Sequence, residues 1–278
     1  MTIKVYWTVS SPHQGIYCQK LMDGFKKHGV SAELLKGRHP EPCDLAVFWG
    51  MHHTSAIREM QRKNKADYLL MERAYVGDRF NFVSLGYNGL NGRGEYLNEN
   101  SPPDRWNKHF KGMMKPYHGG DYVLMTGQVP RDASLAPFEL ARKSEPERRN
   151  FFSDIARQVI AKSGVPVHYR PHPLFETETP PGCITVKGQT LEQELSKAKL
   201  CFTINSNSGV DAILSGTPVV NLDHGSMVWD IAGHGYEDIK NPPINNRDQW
   251  AYDISYAQWL PEEIEAGDAW DHLKKKYI

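Results

Sequence analysis

Apolar residues along this chain fall into short dense runs separated by polar loops. Residues 3–9 (IKVYWTV), 32–35, 43–49 (CDLAVFW) and 68–71 read as buried strands. Tyr17, Leu21 and Phe25 have the spacing of a helix face, which predicts a helix over 17–28 with Gly29 as its stop. Residues 55–63 predict a second helix. Strand, loop and helix alternate, so the pattern predicts a parallel sheet covered by helices. Residues 74–120 break it: NFVSLGYNGLNGRGEYLNENSPPDRW is rich in Gly, Asn and Pro and predicts irregular structure. Alternation then resumes. Strands are predicted at 122–125, 165–169, 200–204 and 218–222, and helices at 151–163 (with Gly164 as C-cap), 191–197 and 210–215. The tail 247–278 predicts two helices broken at Leu260-Pro261.

This pattern divides the chain into a first lobe, 1–118, carrying an insertion at 74–118. A second lobe covers 119–250, and a helical tail 251–278. The Pro/Gly-bearing stretch 115–121 is the expected hinge. With 278 residues there is enough chain for two modest domains.

Composition changes the picture only at the margins. The 33 basic and 33 acidic residues cancel, which excludes a protein whose partner choice rests on overall positive charge. The four cysteines, Cys18, Cys43, Cys183 and Cys201, show no zinc-ligand spacing, so disulfides are not expected and a reducing cytoplasm is. The N-terminal residues lack the apolar core of a signal peptide, and no run of apolar residues approaches a membrane span.

The chemistry gathers in 165–223. One strand runs into Arg170-Pro171-His172-Pro173. Another runs into Asn205-Ser206-Asn207-Ser208-Gly209 and a helix carrying Asp211. In an open α/β sheet, ligands bind beyond the carboxyl ends of the strands, and a helix N-terminus there presents free N–H groups. Arg and His are suited to phosphate, and the flanking prolines stiffen the turn. The plain alternatives are a solvated strand-end turn and an ordinary N-cap, which needs only one of the four polar or small residues. Asp211 suits ribose hydroxyls or simply the helix dipole. Gly127 and Gln128 follow the strand at 122–125, where glycine permits close backbone approach, and Lys187 is placed at the edge of a nucleobase pocket. The simplest reading is a site for a phosphorylated ligand.

These residues also carry a resemblance. Two Rossmann-like halves joined by a hinge resemble the GT-B glycosyltransferase architecture. His172-Pro173, Asn205-Ser206-Asn207-Ser208 ahead of Asp211, the Gly216-Thr217-Pro218-Val219-Val220 ending and the tail from Tyr256 to Trp270 resemble capsule-polysaccharide (Kdo-transferase-like) and bacterial sialyltransferase-type enzymes over roughly 121–278. The stretch MERAYVGDRF and the following GYNGLNGRG resemble phage-encoded glycosyltransferase-like proteins, some of which modify hydroxymethylated DNA bases. The resemblance implies a GT-B-like α/β fold with a central cleft and tail helices packing back across both lobes. It also implies transfer of a sugar from a nucleotide sugar, UDP-linked first and CMP-linked second, to a hydroxyl. The acceptor would be a hydroxymethylpyrimidine in duplex DNA or a surface polysaccharide. A nucleotide-sugar epimerase and a non-catalytic nucleotide-binding module are the rival readings.

Sugar transfer needs a group that takes the acceptor proton, expected from the first lobe. Glu72 and Asp78 stand first and His13 second, with Glu72-Arg73 readable instead as an ion pair. Arg73, Arg79, Asn88, Arg93 and Trp106 are the expected acceptor contacts, within a stretch where basic and aromatic residues (Arg105 and Tyr117 among them) interleave. His52-His53 has no third ligand at helical spacing, and no DxD-type motif stands at a strand end. No metal or other cofactor is therefore expected, and Arg170, His172 and helix N-termini would neutralise the leaving group.

Overall fold

The structure, a computed structural model, describes residues 1–8, 11–175 and 177–278. The predicted strand residue Val9, the loop residue Ser10 and also Glu176 lie outside the described residues.

In chain order the elements are β1 (Ile3–Trp7), α1 (Pro12–Lys27), β2 (Ala32–Lys36), β3 (Leu45–Trp49), α2 (Ser55–Lys63), β4 (Asp67–Arg73), β5 (Val83–Tyr87) and α3 (Asp104–His109). There follow β6 (Tyr122–Thr126), α4 (Glu145–Ser163), β7 (Val167–Arg170), β8 (Ile184–Thr185), α5 (Leu191–Leu195), β9 (Ala198–Thr203), α6 (Ser208–Ser215), β10 (Val219–Asn221) and β11 (Gly233–His234). The tail contributes α7 (Asp248–Ser255), β12 (Gln258–Trp259), α8 (Pro261–Ala266) and α9 (Asp268–Leu273).

Two six-stranded sheets result, ordered β12-β5-β4-β3-β1-β2 and β11-β10-β9-β6-β7-β8. The second is parallel throughout; in the first β5 alone is reversed, antiparallel to both of its neighbours β4 and β12. Contacts divide the chain into one unit of Met1–Asn107 with Ala251–Ile278 and another of Lys108–Trp250. Both divisions fall inside helices, α3 and α7. The structure thus ends the first stretch of unit one eleven residues before the expected 118.

The tail is not a body of its own. Trp259 pairs with Val83, so β12 extends the first sheet, and α8 lies against α1. The two helices approach so closely at Gly24 that a Cβ there would stand 2.2 Å from Ile264 O. The tail is also stitched to α3. Arg105 Nη1 and Nη2 each donate at 2.9 Å to one oxygen of Glu263, while Nε donates to Ser255 O and Nη2 to Gln258 O. Both side chains are only 9% exposed. Arg105 is therefore a structural cation, not part of a basic nucleic-acid grip.

The stretch after residue 74 is more ordered than its composition suggests. Val83–Tyr87 is a fully buried strand, and α3 supplies Trp106 to the interior. α1 also starts earlier than its apolar spacing indicates, with Pro12 in its first turn, where the missing N–H costs nothing. The αL cap at Gly164 is present, at φ 63°.

The first unit has a core on each face of its sheet. Ile3, Val5, Leu45, Val47, Leu69 and Met71 face α1 and the tail helices. Tyr6, Ala46, Phe48 and Leu70 face α2. Among the described residues no helix is long and apolar enough to cross a membrane.

Candidate functional site

In the second unit, β9, β6 and β7 are neighbours, so their carboxyl ends carry three adjacent loops. Hydrogen bonds tie the β6 and β9 loops together. Gln128 Nε2 donates to Asn205 Oδ1 at 2.8 Å, and Asn205 N donates back to Gln128 Oε1 at 3.1 Å. Asn205 Nδ2 also donates to Ser134 O at 2.8 Å and to Asp223 Oδ2 at 2.6 Å. Both amides are buried. The expectation that Gln128 and Asn205 touch the donor is corrected: their polar atoms are engaged with each other and with their neighbours, and they fix loop positions. Asp223, which the sequence reading missed, anchors the same network and also accepts from Gly225 N at 3.2 Å. Its position at the end of an apolar strand (VVNLD) was the available signal.

Gly127 has a similar explanation. A Cβ there would lie 2.5 Å from the Tyr169 hydroxyl, so the side chain crossing from β7 requires the glycine. Ser206 and Ser208 are half-buried. The Ser208 hydroxyl shares a 2.8 Å hydrogen bond with Thr126 Oγ1, and Ser206 Oγ accepts from Ser208 N at 3.2 Å. Further into α6, Gly209 N reaches Ser206 O and Val210 N reaches Asn207 O. The first-turn N–H groups expected to be free for phosphate are thus engaged within the turn, leaving the hydroxyls as its movable donors. Gly209 packs against Val228, whose Cγ2 would be 3.1 Å from an added Cβ. Asp211 is half-buried in the first turn of α6.

The β7 loop is built differently. Arg170 Nη1 donates to Gln189 O at 2.8 Å, bracing the loop that follows β8. The His172 ring accepts from Leu174 N through Nδ1 at 3.2 Å. A backbone N–H can only donate, so the neutral ring carries its proton on Nε2. Arg170, His172, Pro173 and Lys187 line a cavity of about 770 Å³, completed by 177–179 and 185–189. That volume suits a small-molecule ligand. Ser206 and Ser208 are not among the residues that line this cavity.

In the first unit, strand parity decides which candidates meet. Side chains alternate between sheet faces. Trp7, Trp49 and Arg73 follow Val5, Val47 and Met71 onto the α1 face, at the carboxyl ends of β1, β3 and β4. His13, in the first turn of α1, stands over them. Its ring centroid is 4.9 Å from those of both Tyr17 and Trp49. Burial, then the nearby Arg73 charge, pushes the His13 pKa below its ordinary value. Nε2 of His13, Oε1 of Gln14, Nε1 of Trp7 and Nη1 of Arg73 are all buried without a hydrogen-bond partner. The Arg73 guanidinium rests on the Phe80 ring, 4.2 Å from its centroid.

Glu72 follows Leu70 onto the other face. Its Oε1 accepts from Arg73 N at 2.9 Å, and its Oε2 is 3.5 Å from where a Gly50 Cβ would stand. Glu72 and Arg73 thus point to opposite faces, and their contact is a backbone hydrogen bond rather than an ion pair. Asp78 is exposed and holds a local turn, accepting from Phe80 N at 3.0 Å; Arg79 follows it in that turn.

The expected acceptor residues do not assemble. Asn88 bonds to Tyr68 N and to Asp67 Oδ1, at the amino end of β4, the opposite sheet edge from His13. Arg93 lies in the short turn after β5, where Asn91 O accepts from the Tyr96 hydroxyl, itself hydrogen-bonded to Tyr75 just beyond β4. Trp106 is 6% exposed and not available to stack a base. Of the five, Arg73 stands at the carboxyl edge beside His13.

The fold class is the expected GT-B-like α/β, with two Rossmann-like units. No protein-family model matches the sequence, and no curated protein is similar to it in sequence. Solved structures are similar in fold. The β-Kdo 2,4-transferase part of KpsC from Thermosulfurimonas dismutans superposes with a TM-score of 0.57 at 14% identity, covering 91% of this chain and 89% of that one. The β-Kdo 2,7-transferase part of KpsC from the same organism gives 0.51 at 12% identity, with both chains covered completely.

Proposed function

We propose that this protein is a glycosyltransferase that moves a sugar from a nucleotide sugar to an acceptor hydroxyl. The observation that carries this reading is the β7 loop. It sets a fixed Nε2–H on His172 and the Arg170 guanidinium on one ligand-sized cavity, a suitable seat for the phosphate end of a nucleotide sugar. The two KpsC structures, both described as Kdo transferases, support transfer over epimerisation, and the His172-Pro173 motif keeps a CMP-sugar beside a UDP-sugar as donor.

In the reaction, the acceptor oxygen bonds to the anomeric carbon as the bond from that carbon to the phosphate oxygen breaks. The nucleotide leaves with the electron pair, and the acceptor proton passes to a base. We assign the base to His13. Its lowered pKa keeps it neutral near pH 7, and its Nε2 is unpartnered. His172 and Arg170 then stabilise the departing phosphate. A sugar hydroxyl is the favoured acceptor. A hydroxymethylpyrimidine in duplex DNA is less so, because Arg105 is committed to Glu263, Trp106 is buried and Asn88 stands at the far sheet edge.

The test is a donor screen read by mass spectrometry, with UDP- and CMP-sugars against glycans and against plain and hydroxymethylated duplex DNA. The reading requires a mass gain of one glycosyl unit on an acceptor. Interconversion of a UDP-sugar without acceptor would establish the epimerase instead. Donor binding with no transfer to any acceptor would leave a binding module.

A further inference from the structure

The first unit carries an unexplained polar cluster. A buried polar atom without a partner is costly, and native proteins hold few of them. Here Arg73 Nη1, Trp7 Nε1, Gln14 Oε1 and His13 Nε2 all belong to residues at the carboxyl edge of one sheet face, around the start of α1. Arg73 has no carboxylate partner among the described residues, although it is half-buried. The α1 N-terminus beside it has no acidic residue in its first turn and no side-chain cap on its N–H groups. A guanidinium and a helix N-terminus lacking their usual counter-charge both favour an oxyanion. The Trp49 and Tyr17 rings, tilted at 39° to each other, lie next to them.

We infer that this edge binds an acceptor carrying an oxyanion next to its reacting hydroxyl, with the oxyanion on Arg73 and the hydroxyl on His13 Nε2. This rests on the transferase reading for the role of the hydroxyl, but not for the binding of the anion. The recognised chemistry is one carboxylate or phosphate monoester on a sugar-sized molecule. A polyanion would need a row of cations, and in this unit Arg105 is already engaged by Glu263.

The test is calorimetric titration of the intact protein, without donor, with methyl β-D-glucuronoside, methyl β-D-glucoside 6-phosphate and neutral methyl β-D-glucoside. At least one anionic glycoside should bind ten-fold or more tightly than the neutral one, and the arm that wins identifies carboxylate or phosphate. Arg73→Met should remove the preference and Arg73→Lys retain part of it. Because the preference is first read on the wild-type protein, a variant that fails to fold does not block the test. Equal affinities, no binding of any of the three, or a preference that survives in Arg73→Met would overturn the inference. A preference present in a protein that transfers no sugar would sink the transferase reading and leave the anion site standing.

Discussion

Glu263→Leu should cost the first unit about 3–5 kcal/mol. The substitution leaves the Arg105 guanidinium in place, with its side chain 9% exposed, and removes the only carboxylate it touches among the described contacts. A buried charge stripped of its partner costs about that much. The two carbonyls that remain, Ser255 O and Gln258 O, satisfy part of the fork but none of its charge. Leu260 N also loses its acceptor, Glu263 Oε2 at 2.9 Å, which holds the start of α8. For a unit of this size the loss corresponds to a fall of about 10–20 °C in its midpoint. Differential scanning calorimetry resolves it, since the transition that moves should be that of the unit containing the tail. Glu263→Gln, which keeps an acceptor for Leu260 N, should lose less. The double variant Arg105→Met/Glu263→Leu should recover most of the loss, because an apolar pair carries no stranded charge. A cost below about 1 kcal/mol for Glu263→Leu, or a double variant as unstable as the sum of the singles, would refute this account of the pair.

Further outcomes follow from the geometry. His13→Gln should lower kcat by about 10²–10⁴ with little change in KM, as for loss of a general base, whereas Glu72→Gln on the other sheet face should cost less than about ten-fold; equal losses in steady-state kinetics would remove the assignment. Because the folded pKa of His13 lies below its unfolded value near 6.5, the acid limb of kcat should fall below that pH. By linkage, the His13 contribution to stability is complete above pH ~6.5 and is lost as pH falls through the folded value, so denaturant midpoints of His13→Phe should decline less between neutral and mildly acid pH than those of the wild type. Gly127→Ala drives a methyl to within 2.5 Å of the Tyr169 hydroxyl and should destabilise by about 1–3 kcal/mol, with Tyr169→Phe relieving much of it in urea titrations. His172→Phe should weaken donor binding by about ten-fold or more through loss of a charge-assisted donor, and unchanged affinity in a nucleotide-sugar titration would show that Nε2–H does not meet the phosphate.

The central parallel strands of each sheet were legible because Val-, Leu- and Phe-rich runs buried on both faces admit few other readings. The two-residue edge strands β8 and β11 were not, nor were β5 and β12. SLGY lacks a dense apolar run, and the two-residue QW becomes a strand only by pairing with a segment about 170 positions upstream. The loops that line the β7 cavity were visible as motifs. What each polar atom bonds to was not, since Gln128 and Asn205 find each other across 77 residues. The separation of Glu72 from His13 was within reach of the sequence. Alternation from Leu70 and Met71 sends consecutive side chains to opposite faces, but which face carries α1 emerges only from the packing of Tyr17 and Leu21.

Because the first unit is written in two pieces, with Lys108–Trp250 between them, its synthesis is interrupted. A ribosome completes the whole intervening unit before it makes the edge strand and the two helices that close the first. Lys108–Trp250 is contiguous and is the natural fragment to express alone. The first unit, by contrast, would need its ends rejoined by a linker from residue 107 to residue 251, and a nonsense codon between residues 251 and 258 would spare one unit while leaving the other without its edge strand.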